Sequence, residues 1–201
     1  MATPLGHYLV GLSIAQGLAR DSGERKRALW LAVIACLPDL DFIPGFFVGR
    51  LGQFHHGISH SFATGAIFSI FAWLFFRWFA RGISLNLCIL VFLLYSSHVI
   101  LDFVTLDNSV PYGVPLFWPW SHDSYQSPWL LLPNVQHTRA PLFSAHNLLL
   151  MVRELIIFFP LIGFVRALKH SQTAWPVRRA WLYGGWFIFA VWASVFSLHE
   201  G

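Results

Sequence analysis

Histidine and aspartate recur in this chain at spacings that suit a metal ion. His98 and Asp102 are four residues apart, so on a helix they share a face and can hold one ion between them. Asp39 and Asp41 lie in the run Leu37-Pro38-Asp39-Leu40-Asp41. On an α-helix they would diverge by about 200°. Pro38 and Pro44 predict a break there, which lets one carboxylate turn inward while the other caps or supports. His55, His56 and His60 fall in His55-His56-Gly57-Ile58-Ser59-His60-Ser61. His56 and His60 are again four apart, whereas His55 and His60 converge only across a turn. With His7, the set His7, Asp39, Asp41, His60, His98 and Asp102 supplies nitrogen and oxygen ligands for one or two divalent ions. Mixed His/Asp ligation without thiolate suits zinc, with manganese and iron as alternatives. Such an ion polarises a phosphoryl or acyl group and acidifies a water. Asp39, Asp102, His55 and His56 are the candidates for moving protons or orienting a ligand around it.

The competing readings are structural. A lone histidine in an apolar segment is more often a packing residue than a ligand, and Asp39 or Asp41 could cap a helix after Pro38. A carboxylate at the centre of a membrane helix costs about 2.5–3.5 kcal/mol even on the lenient insertion scale, which favours function for each one retained.

The elements that position these residues are apolar. Of 201 residues, 56% are hydrophobic and 11% charged, and mean hydropathy is +0.59. Soluble domains carry about 25% charged residues. A soluble enzyme, a disordered chain and a disulfide scaffold are excluded, which leaves an all-α, polytopic membrane protein. Ten histidines outnumber the nine acidic residues, an excess that packing alone does not require. Six apolar segments are predicted at about 5–19, 28–48, 62–80, 83–106, 142–165 and 180–198, giving five to six spans because the first is short. Cys36 and Cys88 lie inside apolar segments and read as small core residues. No repeat or domain boundary interrupts residues 1–201, and no cleavable signal peptide is expected at the start. The connection at about 107–141 is too long for a plain linker and reads as a lid or binding loop.

The net charge of +4 reflects topology, not nucleic acid. Arg20, Arg25, Lys26, Arg27, Arg77, Arg81, Arg166, Lys169, Arg178 and Arg179 all fall in alternate loops. The positive-inside rule places those loops in the cytoplasm and both termini outside. The same topology, drawn from Lys and Arg alone, gathers nearly all the His and Asp residues on the outer side. There Arg50 and Arg139 either pair with a phosphate or are ordinary solvated loop residues. Trp118, Trp120, Tyr125 and Trp129 either cover the site or form an interfacial belt. Glu154 shares a helix face with His146 and reads either as half of a buried ion pair with Arg153 or as a base or ligand reaching the site.

These motifs, in this order, resemble the YdjM-like family of bacterial inner-membrane proteins regarded as metal-dependent hydrolases. The resemblance runs from His7 to about Pro119 and rests on His7, Leu37-Pro38-Asp39-Leu40-Asp41, His55-x-Gly57-x-Ser59-His60-Ser61, His98-Val99-Ile100-Leu101-Asp102 with Thr105, and Trp118-Pro119. The family usually has Arg where this chain has His56. A more distant similarity is to the zinc-dependent phospholipase C and single-strand nuclease superfamily. It implies one zinc held by Asp39 or Asp41 with His60, His98 and Asp102, and a second position begun by His7 and Asp102. That superfamily's later His-x-x-x-Glu pair is absent, since His122-Asp123-Ser124-Tyr125-Gln126 ends in Gln.

The resemblance implies a multi-pass inner-membrane hydrolase, and the loop charges predict that its site faces the periplasm. It would cleave a phosphoester of a membrane lipid or lipid-linked substrate, with no nucleic-acid partner. The rival readings are a divalent metal transporter or metal-binding membrane protein, a zinc-dependent lipid amidase, and a haem carrier using His7, His98 and His146.

Overall fold

The computed structural model describes residues 1–49, 54–80, 82, 84–108, 110–136, 144–169 and 174–199. Its regular elements are helical: α1 (Pro4–Leu18), α2 (Ser22–Leu31), a 3-10 segment (Ala32–Asp41), α3 (Phe42–Phe47), a 3-10 turn (Ile58–His60), α4 (Phe62–Phe79), α5 (Leu85–Phe103), α6 (Ala145–Lys169) and α7 (Ala174–His199). Five stretches are long and apolar enough to cross a membrane: Ser22–Phe47, Phe62–Phe79, Leu85–Phe103, Ala145–Lys169 and Arg178–Leu198. The chain is a polytopic helical membrane protein.

The first predicted segment does not join them. At about 1.5 Å per residue, the 15 residues of α1 fall short of a hydrocarbon core about 30 Å thick. Instead α1 is a core helix, packed among α2, the 3-10 segment, α5 and α6. Gly6, His7, Leu9, Gly11, Leu12, Ser13, Ala15 and Gln16 are all buried. Gly11 permits a close approach to the 3-10 segment. A Cβ there would lie 2.7 Å from Ala35 Cβ, so the glycine and the buried Ala32 and Ala35 let α1 lie directly on the 3-10 segment. Thr3 caps α1 ahead of Pro4, and Ser61 caps α4 immediately after His60.

The long segments alternate in direction. At one end the backbone N–H of Ala2 donates to Asp102, the N–H of Phe62 donates to Leu116 O, and the Ser194 hydroxyl donates to Leu131 O. At the other end Lys169 donates to Ala19 O, and Gln16 donates to Arg25 O. Arg20, Arg25, Lys26, Arg27, Arg77, Arg166, Lys169, Arg178 and Arg179 therefore share the second end, opposite the His/Asp residues. Arg81 lies outside the described residues. The lateral surface carries exposed apolar side chains such as Phe71, Phe75, Trp78, Trp181, Phe189 and Trp192, as a lipid-facing surface requires.

The described part of the 107–141 connection folds back over the first end. Val114 and Tyr125 exchange two backbone hydrogen bonds, Ser127 N–H donates to Phe103 O, and Leu131 N–H donates to Val104 O. Its own Val114, Leu116, Leu132 and Val135 are buried. Trp120 and Trp129 are 84% and 69% exposed, in the manner of an interfacial belt, whereas Tyr125 packs inward against the Val114 cluster.

Candidate metal centre

The centre is assembled from four elements around the C-terminal end of α5. His98 projects inward with Nδ1 2.7 Å from Ala35 O. A carbonyl only accepts, so Nδ1 carries the hydrogen and Nε2 is left with a lone pair. One turn later, as the i,i+4 spacing predicts, Asp102 Oδ2 lies 3.1 Å from that Nε2. His60 is set by the 3-10 turn, which Tyr95 pins by donating to Ser59 O at 2.7 Å. Its Nδ1 faces Asp41 Oδ2 at 3.2 Å, and its Nε2 meets His98 Nε2 at 3.1 Å. Two imidazole nitrogens thus point at each other with their second nitrogens already engaged. Such a pair demands a cation or a proton between them.

Asp39 completes the arrangement. Its Oδ1 is 3.5 Å from His98 Nε2 and 3.8 Å from His60 Nε2, and Asp102 Oδ2 is 3.5 Å from His60 Nε2. Four ligand atoms bonded tetrahedrally at about 2.0–2.1 Å stand about 3.3 Å apart. Among His60 Nε2, His98 Nε2, Asp39 Oδ1 and Asp102 Oδ2, the five pairs that include a histidine run from 3.1 to 3.8 Å. Both Asp39 oxygens and Asp102 Oδ2 are buried without a hydrogen-bond partner. Two carboxylates and two neutral imidazoles match the charge of a divalent ion, and the residues fit the metal that the sequence implies.

His7 lies at the edge of this group. Its ring stacks on His98 at 3.6 Å, and its Nε2 is 3.4 Å from the other oxygen of Asp102. Neither His7 nitrogen has a hydrogen-bond partner. His7, Asp39, His98 and Asp102 form one potential ligand group, and His55, His56 and His60 form another. Face-to-face rings at 3.6 Å leave no room for a porphyrin between His7 and His98, and His146 is spent on Asn134 O at 2.8 Å. The haem reading is therefore dropped.

Asp41 does not join the ligand atoms. The 3-10 segment turns Asp39 inward and leaves Asp41 to support two imidazoles: it accepts from His55 at 2.8 Å and from the Ser59 hydroxyl at 2.7 Å, and faces His60 Nδ1. This is the carboxylate–histidine pairing that orients metal ligands. His55 Nε2 lies beside Met1 Sδ. Burial, with help from His56 and His60, lowers the His55 pKa to about 4 against the opposing pull of Asp41, so its imidazole is neutral near pH 7. For His60, burial opposes the charge, but hydrogen bonds with Asp39 and Asp41 outweigh it and raise the pKa to about 9. The pocket favours positive charge at the point where the ligand atoms converge.

Two supporting residues carried no role in the sequence reading, or a different one. Asp107 is buried, faces His56 Nδ1 at 3.0 Å and accepts from Gly113 N–H at 3.0 Å. His56 sits at φ +60, a strained value for a non-glycine residue, and its Nε2 has no partner. Asp107 lies outside every paired motif, and only the fold of the loop brings it back to His56. Glu154 and Arg153 do not pair with each other. Glu154, fully buried, accepts from the backbone N–H of Thr3 at 2.6 Å and from its hydroxyl. Arg153 donates across to Ser194 and Ser197 on α7. Adjacent residues on a helix point about 100° apart, so each secures a different neighbour. His122 is exposed and outside the centre. Arg50, Arg139, His137 and His170 lie outside the described residues.

The family model for the YdjM inner membrane protein matches residues 1–199. The chain belongs to this family. The YdjM match extends the similarity well past Pro119, through the loop and through α6 and α7. The inner membrane is thus the location of the five-span bundle. No curated protein and no solved structure matches the chain.

Proposed function

We propose that this YdjM-family chain is a membrane-embedded hydrolase dependent on one or two divalent metal ions, zinc first among them. Its substrate is a lipid or lipid-linked phosphoester, reached from the periplasmic side. The observation that carries the reading is the opposed pair of imidazole nitrogens, His60 Nε2 and His98 Nε2, 3.1 Å apart and flanked by carboxylate oxygens of Asp39 and by Asp102 Oδ2 that have no hydrogen-bond partner. His60, His98, Asp39 and Asp102 would hold the ion, with His7 beside them.

A divalent ion, when bound, supplies Lewis acidity and brings the pKa of a water to about 7. Asp41 keeps the Nδ1 proton of His55 in place and fixes that ring beside His60. Asp107 does the same for His56, whose Nε2 has no partner and can take the proton of the attacking water. The folded loop excludes bulk water from above, and the lipid-facing surface allows an acyl or polyprenyl substrate to enter from the side. Grouping of the polar residues at one end, with no such chain of His and Asp toward the basic end among the described residues, favours a site over a transport path.

Metal analysis of the detergent-purified protein, followed by assays on phosphodiester, phosphomonoester and amide lipids, tests this. Wild type should hold stoichiometric metal and cleave a phosphoester lipid, while His98→Ala and Asp102→Ala should lose both properties. Absence of bound divalent metal from wild type would overturn the reading. Metal that crosses liposomes without any hydrolysis would make the protein a transporter, and cleavage confined to amide lipids would make it an amidase.

A further inference from the structure

A second polar feature lies at the opposite end of the bundle, independent of the metal centre. A cavity of about 460 Å³ opens between the turn joining α1 to α2 and the end of α6, lined by Gln16, Ser22, Arg25, Lys26, Leu29 and Arg166. Three elements build it. Lys169 donates to Ala19 O and ties α6 to the end of α1, while Gln16 Nε2 donates to Arg25 O at 3.0 Å and ties α1 to α2. The second bond fixes the orientation of the Gln16 amide. Gln16 is 2% exposed, and its Oε1 has no hydrogen-bond partner. A buried acceptor without a donor in a polar cavity points to a ligand that brings one.

We propose that this cavity binds the headgroup of an anionic glycerophospholipid carrying a free hydroxyl, the chemistry of phosphatidylglycerol. Basic pockets between membrane helices are established headgroup sites. Lys26 and Arg166 are exposed and make no salt bridge to a carboxylate among the described residues, and with Arg25 they supply the charge for the phosphate. The headgroup hydroxyl donates to Gln16 Oε1. Leu29 lines the rim, and Leu18 and Trp30, 53% and 81% exposed, continue outward as the apolar surface for the acyl chains. A free phosphate would satisfy the cations but leave the apolar rim unused.

Native mass spectrometry of the full chain in zwitterionic detergent tests the proposal. Wild type should retain phosphatidylglycerol in preference to phosphatidylcholine. A Lys26→Gln/Arg166→Gln double variant should weaken that retention about 30-fold, the expected effect of removing two membrane-facing cations. Arg178→Gln, at the same end but outside the cavity, should leave it unchanged. Equal retention of the two lipids, wild-type retention by the double variant, or an equal loss with Arg178→Gln would overturn the proposal. Displacement of the lipid by inorganic phosphate alone would assign the cavity to a free anion instead.

Discussion

At the residue scale the centre is defined by which nitrogen of each histidine is already committed. Ala35 O takes Nδ1 of His98, Asp41 faces Nδ1 of His60 and Asp107 faces Nδ1 of His56, leaving an Nε2 free in each case. Replacing Asp41 by Asn should therefore weaken metal binding about 10–100-fold without changing its stoichiometry, measured by competition with a chromophoric chelator. Acidity provides a second check. The His60 pKa is raised from 6.5 to about 9, so charged His60 stabilises the metal-free fold fully below pH 6.5, and that stabilisation is lost as pH rises through about 9. A metal must displace this proton. Affinity should rise with pH up to about 9, with a proton released on binding near neutrality. Calorimetry in buffers of different ionisation enthalpy reads both; an affinity flat across that range would remove His60 from the ligand set.

At the element scale two devices hold the centre together. Glu154 secures the start of α1 through Thr3 and lies so close over Gly6 that a Cβ there would come within 2.7 Å of its Oε1. Glu154→Ala strands two buried donors, at about 1–3 kcal/mol each. It should lower both the thermal midpoint and metal affinity, because α1 carries His7. Arg153→Ala loosens α6 from α7 instead, and should lower the midpoint while leaving metal affinity intact. The loop is the second device. Gly113 has φ +87, and a Cβ on it would lie 2.2 Å from Tyr125 O. Gly113→Ala should cost about 1–3 kcal/mol from backbone strain alone and should release Asp107 from Gly113 N–H. A melting curve identical to wild type would show that the loop does not hold the bundle end.

At the scale of the whole molecule, charge decides orientation. The described residues put nine basic side chains of the alternate loops at one end and the His/Asp group at the other, so the positive-inside rule predicts a periplasmic centre. In a Cys36→Ala/Cys88→Ala background, a cysteine replacing Ser124 should react with an impermeant maleimide in intact cells, and one replacing Ser22 should react only after lysis. The reverse pattern would place the centre in the cytoplasm.

Composition, hydropathy and the alternating charges were enough to specify a helical membrane bundle with its polar chemistry at one end, because a bilayer penalises charge so heavily that each position of Lys, Arg, Asp and His carries information. The i,i+4 spacing was enough for His98 and Asp102. Tertiary structure alone decided the rest. Whether α1 spans or is buried depended on its packing beside Gly11 and Ala35. Which of Asp39 and Asp41 faces the ligand atoms depended on a 3-10 geometry around Pro38 that α-helical periodicity does not describe. The roles of Asp107 and Glu154 came from partners 51 and 151 residues away. Contacts of that range arise when the chain closes on itself, and no local pattern encodes them.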